Sequence, residues 1–144
     1  MDKKIILVSH GSLASGMKES IEMIIGENNN LLCYEMKNDK HYLDLVEEIE
    51  CMAENNPQIQ YIIVADILGG SVCNGCSSLI TLQNVKVISG MNMKLVIELL
   101  FAPFQLEDED IAEKIEICKE SIVNISKSFL EKKNKCSKEE FFNK

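Results

Sequence analysis

Apolar residues along this chain follow two spacings in turn. Lys4–Ser9 (KIILVS), Leu31–Met36 (LLCYEM), Gln60–Asp66 (QYIIVAD) and Val85–Ser89 (VKVIS) are short runs of mostly consecutive apolar residues. Such runs, bounded by polar or glycine positions, suit strands buried on both faces. Between them apolar positions recur every three or four residues, as on one face of a helix. Leu13, Met17, Ile21, Ile24 and Ile25 form one stripe, with Gly26 placed to cap it. Leu45, Val46, Ile49, Met52 and Ala53 form a second within 41–55. Residues 71–82, after a Gly-Gly turn, and Asn92–Phe101 complete the helical set.

Alternating strands and helices predict βαβ units and a parallel sheet. Right-handed crossovers then place helices on both faces. The predicted fold class is an open, doubly wound, mostly parallel α/β sheet. Sites in that architecture form at the carboxyl ends of strands, near the point where strand order reverses. Three loops belong there: Ser9-His10-Gly11-Ser12, Asp66-Ile67-Leu68-Gly69-Gly70-Ser71, and Ser89-Gly90-Met91-Asn92.

Composition narrows the classes further. The chain has 144 residues, 46% of them apolar and 26% charged, as a single globular domain would. A domain over 1–130 and a polar, Lys-rich tail over 131–144 are expected. Net charge is -8, which disfavours nucleic acid or an anionic membrane as a general partner. The tail holds five Lys and three Glu, so residues 1–130 are more acidic still. No apolar run approaches the roughly 18–20 residues that cross a bilayer, and no signal segment opens the chain. The six Cys then read as reduced, buried thiols of a cytoplasmic protein.

His10 is the first candidate for chemistry. It follows a buried strand and precedes a glycine that permits a sharp turn. Imidazole is nucleophilic near neutral pH and can carry a phosphoryl group, although a loop-capping role fits the position equally well. Asp66 closes the most strand-like run. Bonded to one imidazole nitrogen it would fix the tautomer and turn the other nitrogen outward; otherwise it caps the turn. Gly69, Gly70 and Ser71 precede a helix, where backbone can approach an anion closely and Ser71 could act as N-cap, anion donor or both. The segment is not a Walker loop, because no Lys follows.

Cys73-Asn74-Gly75-Cys76 is a competing motif. A Cys-x-x-Cys at a helix start is where thiol oxidoreductases place theirs, so a redox protein using Cys73 and Cys76 is an alternative reading. No second Cys-x-x-Cys and no His-x-x-x-His accompanies it, so no metal is expected. His41 opens a helix and reads as a surface residue. Ile111, Ile115, Cys118, Ile122, Ile125 and Phe129 form a heptad-like seam that favours one helix over 107–130.

Three motifs in order, Ile-Leu-Val-Ser-His10-Gly-Ser, Val-Ala-Asp66-Ile-Leu-Gly-Gly-Ser71-Val-Cys-Asn74 and Ile-Ser-Gly90-Met-Asn92, resemble the EIIA domain of the mannose/fructose/sorbose-type sugar phosphotransferase system (PTS). The resemblance runs through residues 1–103. It implies a cytoplasmic phosphocarrier without cofactor. His10 would accept a phosphoryl group from phospho-HPr and donate it to EIIB, on the way to the membrane sugar permease. Asp66 looks like the orienting acid, and Ser71, with Gly69, Gly70 and Asn74, like the phosphoryl-binding turn. This chain has Ser9 where the family often has Thr, and Ser71-Val72-Cys73-Asn74 where it often has Ser-Pro-Phe-Asn. A carrier serving a dihydroxyacetone kinase is the related alternative; it usually lacks the Gly-Gly-Ser-x-x-Asn run. The resemblance also implies a homodimer that exchanges a final antiparallel edge strand, for which 121–127 (SIVNISK) is the candidate after a helix ending near Lys119. EIIB is expected to be a separate protein, and no residue here encodes the sugar.

Overall fold

A computed structural model describes residues 2–38, 40–103 and 105–128. The elements are β1 (Lys3–His10), α1 (Leu13–Ile25), β2 (Leu31–Met36), α2 (Tyr42–Asn55), β3 (Gln60–Ala65), α3 (Ser71–Cys76), a 3-10 helix (Ser77–Thr81), β4 (Val85–Ser89), α4 (Met93–Phe101) and α5 (Asp108–Lys119). The four strands form one parallel sheet in the order β2-β1-β3-β4. The predicted open α/β sheet is therefore the observed one.

The continuous apolar runs have a simple cause. In β1, alternate side chains point to opposite faces. Ile5 and Leu7 pack with α1, α4 and α5, whereas Ile6 and Val8 pack with α2, α3 and the 3-10 helix. All six residues of β3 are buried. From β1 the chain crosses to β2 on one side and later to β3 on the other. The strand order thus reverses between β1 and β3, whose ends carry His10 and Asp66.

Several expectations change. On α1, Ile21 is buried and Met17 and Ile25 pack against the core, but Leu13 and Ile24 are exposed. At about 100° per residue, Leu13 and Ile24 lie about 60–80° to the same side of Ile21, beyond the sheet contact. The helix expected over 71–82 breaks after Cys76. Ser77 Oγ bonds Cys73 O, Ser78 Oγ bonds Gly75 O and Thr81 Oγ1 bonds Ser78 O. Hydroxyls folded back onto the backbone compete with the α ladder and favour the tighter turn.

The C-terminal seam also divides. Helix α5 ends at Lys119, as the resemblance implied, but no strand follows over 121–127. Residues 122–124 are irregular and 125–128 are helical. Asn124 accepts from Lys127 N and Ser128 N through its side chain and carbonyl, starting the new turn. Ile122, Val123 and Ile125 are exposed, since a β-branched segment forms a strand only against a partner edge. Phe129 and the tail over 131–144 lie outside the described residues. The thiols are not uniformly buried: Cys51 is exposed and Cys33 half-buried. His41 is the side-chain cap of α2 at the surface.

Candidate functional site

The first site element is the end of β1. Register pairs His10 with Met36 of β2, and Gly11 then turns with φ +56°, a conformation that favours glycine. The Gly11 N–H donates to Met36 O at 2.9 Å. The fully buried Ser9 braces this loop from beneath. Its Oγ accepts from Ala14 N at 2.8 Å and donates to Gly11 O at 3.4 Å. Ser9 thereby caps the first turn of α1 from outside, whereas Ser12 makes no side-chain cap bond. This bracing role for Ser9 was missed in the sequence, although a hydroxyl at the end of a buried strand already calls for a partner.

Asp66 follows β3 directly. Its Oδ2 accepts the His10 backbone N–H at 2.9 Å and lies 2.7 Å from His10 Nδ1, while Oδ1 accepts from Ile67 N at 2.8 Å. Burial by itself would raise the Asp66 pKa, but the hydrogen bonds from His10 and Ile67 outweigh it and hold it below the ordinary carboxylate value. An ionised carboxylate only accepts. The Nδ1 proton therefore points at Asp66, and a neutral ring has its lone pair on Nε2. The His10 side chain is 40% exposed and that of Asp66 only 10%.

Ser71 completes the group. Its Oγ lies 3.1 Å from His10 Nε2 and 3.9 Å from Met36 Sδ. The residue is the first of α3 and Gly70 is the N-cap, so Ser71 does not take the capping position. Gly69 has φ +79°. Gly70 is needed for space: a Cβ there would sit 3.1 Å from His10 Cε1 and 3.0 Å from Ile67 Cγ2. Asn74 donates through Nδ2 to Gly69 O at 3.1 Å and through its N–H to Gly70 O at 2.9 Å, tying the glycine turn to α3.

The structure thus brings His10, Asp66, Gly70 and Ser71 together, with Asn74 behind the turn. The third loop contributes differently. Met91 N bonds Ala65 O, and Asn92 caps α4 through Leu95 N. The open cleft beside His10 is instead lined by Gly11, Met36, Lys37 and Asn38. Lys37 Nζ pairs with Glu35 at 2.6 Å, which leads the causes holding the Glu35 carboxyl below its ordinary value. These β2 residues were missed because only three of the four strand ends were considered.

The competing thiol pair sits nearby but faces the core. Cys73 and Cys76 are buried and unbridged, and burial pushes the Cys76 thiol up to about 12. Among the described residues no three His, Cys, Asp or Glu side chains group as a metal site requires. No described helix is long and apolar enough to cross a membrane.

Residues 4–116 match the model of the EIIA-man family, the PTS system fructose IIA component. The chain belongs to this family. Relatives agree with the mannose-type EIIA match. The PTS system fructose-specific EIIA component of Bacillus subtilis (strain 168) is 25% identical over 130 residues, 89% of each chain. The sorbose-specific EIIA component of Klebsiella pneumoniae is 25% identical over 112 residues, 77% of this chain and 82% of that protein. Two solved structures are similar over most of the chain. The mannose/sorbose specific IIA subunit from Enterococcus faecalis has a TM-score of 0.75 at 25% identity, covering 87% of this chain and 96% of its own. The EIIA component from Streptococcus agalactiae has a TM-score of 0.76 at 25% identity, with 87% and 98% covered. As an EIIA component the protein is part of a phosphotransferase system that serves sugar transport.

Proposed function

We propose that this EIIA protein is a phosphohistidine carrier in which His10 Nε2 takes a phosphoryl group from phospho-HPr and hands it to EIIB. The observation that carries this reading is the three-residue geometry: Asp66 on Nδ1, Ser71 beside Nε2, and an open cleft alongside. In the first step the Nε2 lone pair forms the new P–N bond, and the P–N bond to the donor breaks with its electron pair returning to the donor nitrogen. The second step repeats this with His10 as donor. The Nδ1 proton stays against Asp66 throughout. Such transfer needs little covalent work from the protein beyond positioning and charge stabilisation. Ser71 Oγ is near enough to donate to a phosphoryl oxygen on Nε2, and Gly69 and Gly70 let the backbone come close to it.

The protein works in the cytoplasm, and its assembly is a homodimer. Ile122, Val123 and Ile125, exposed on the single chain, support a covering contact there. Incubation with radiolabelled phospho-HPr should give wild type an acid-labile, base-stable phosphate, which EIIB then removes. His10→Ala should take no label. A fully labelled His10→Ala would overturn the assignment.

A further inference from the structure

A phosphoryl group on His10 Nε2 would bring about 1.5–2 negative charges to a chain whose net charge is already -8. The Ser71 hydroxyl can donate one hydrogen bond to it but carries no charge. A cation alongside would offset the added charge directly. Among the described residues lining the open cleft beside His10, Lys37 is the one lysine. We propose that Lys37 is a phosphoryl-binding residue, its ammonium paired with Glu35 while His10 is bare and turned to the phosphoryl oxygens once the group is on Nε2. This deepens the phosphocarrier reading of His10 and rests on it.

The fold fixes the Lys37 backbone and leaves its side chain room to swing. Met36, the residue before it, is the register partner of His10, and Met36 O accepts from Gly11 N at 2.9 Å. On the other side Lys37 O accepts from Lys40 N at 3.0 Å. The Lys37 side chain is 54% exposed, and its Nζ lies 2.6 Å from Glu35 Oε2. Exposed ion pairs contribute little, so this one exchanges readily. At equal distance a dianion attracts an ammonium more strongly than one carboxylate does, and the four-carbon stem is flexible enough to follow. Glu35 stays behind. Its side chain is only 14% exposed, and its Oε1 accepts from Ser15 N at 3.1 Å in the first turn of α1. The ammonium keeps its protons throughout and changes only the oxygens it faces.

The test uses the full chain, phosphorylated by phospho-HPr and then separated from it. A phosphorus NMR titration reads the phosphoryl group itself, so contact between Lys37 and the donor protein cannot move it. A nearby cation favours the dianion and lowers its titration midpoint. Lys37→Met should therefore bind the phosphoryl proton about two- to fivefold more tightly than wild type, the scale of an exposed ion pair. Lys37→Arg, which keeps the charge, should stay near wild type. Glu35→Gln keeps an acceptor for Ser15 N but removes the competing charge, so it should move the midpoint the other way. Most of that movement should vanish beside Lys37→Met. Circular dichroism checks folding, and should Lys37→Met not fold, Lys37→Gln is read in its place. The proposal is overturned if Lys37→Met titrates with wild type, if Lys37→Arg shifts as far as Lys37→Met, or if the Glu35→Gln shift is as large without Lys37 as with it. A transfer rate that falls while the midpoint stays put assigns Lys37 to docking of the donor and overturns it too. A wild-type protein that takes no label overturns the phosphocarrier reading as well, so the two failures are told apart.

Discussion

His10 and the Cys73–Cys76 pair lie on adjoining elements, and each looked chemically capable in the sequence. Their surroundings differ sharply. The His10 side chain is 40% exposed and fixed through Nδ1, with a hydroxyl at Nε2. Cys73 and Cys76 are buried among Val8, Val46, Ala65 and Leu79, and burial disfavours the Cys76 thiolate, the reactive form. The same helix start that puts Ser71 beside His10 Nε2 therefore turns the thiols into the core. Spacing nominates reactive groups, while solvent access and hydrogen-bond partners decide which of them can react.

The contrast breaks most severely if the anchoring of His10 is removed. Both oxygens of Asp66 accept hydrogen bonds, Oδ2 from His10 and Oδ1 from Ile67. An amide in that place must turn its NH2 toward one of these donors. Asp66→Asn should thus slow transfer from phospho-HPr about a hundredfold, within the range of lost acid–base and orienting groups. Quench-flow rates check this, and a wild-type rate would make Asp66 only a turn cap.

A smaller change tests the room around the ring. Gly70→Ala would bring a methyl group to 3.1 Å from His10 Cε1. The ring or the turn must shift, and a displacement of a few tenths of an ångström should cost about tenfold in rate. Thermal unfolding should confirm that the variant still folds. An unchanged rate would show that the ring has slack.

Acid titration sharpens the same pair thermodynamically. The folded-state pKa of Asp66 is depressed, so its stabilising contribution is complete above the ordinary carboxylate value and is lost as pH falls from there through the lower, folded value. The urea midpoint of wild type should exceed that of Asp66→Asn at pH 7, and the gap should close on acidification to below about pH 4. A gap independent of pH would mean that the carboxylate charge contributes nothing.

The smallest effect on transfer is expected at the thiols. Cys73→Ser with Cys76→Ser should leave the transfer rate within about twofold of wild type while costing about 1–3 kcal/mol of stability, since two hydroxyls enter an apolar site. Among the cysteines of the described residues, alkylation of the native protein should modify the exposed Cys51 first and the buried Cys76 last. A variant that folds well but transfers slowly would tie the thiols to the chemistry after all.

Four strands and the helices between them were legible because burial on two faces forces continuous apolar runs, and burial on one face forces helical spacing. His10 and Asp66 were legible for the same reason: they are the polar residues at which two such runs stop. The division of 71–82 was not, since it depends on the hydroxyls of Ser77, Ser78 and Thr81 choosing backbone partners over solvent. The segment 121–127 was not either. Its β-branched composition permits a strand, but in a single chain Asn124 starts a helical turn instead.

By itself, then, the amino-acid order determined the alternation of elements, the doubly wound class and the nominated pair His10 and Asp66. These follow from local periodicity and from where apolar runs end. Tertiary structure alone decided that Asp66 meets Nδ1 rather than Nε2, that Ser71 sits between His10 and Met36, that Gly70 is there for lack of space, and that the thiols face inward. Each of these depends on the register between strands and on the direction in which a side chain leaves its backbone. Residues far apart in sequence settle both, through packing and hydrogen bonds formed only when the sheet is assembled.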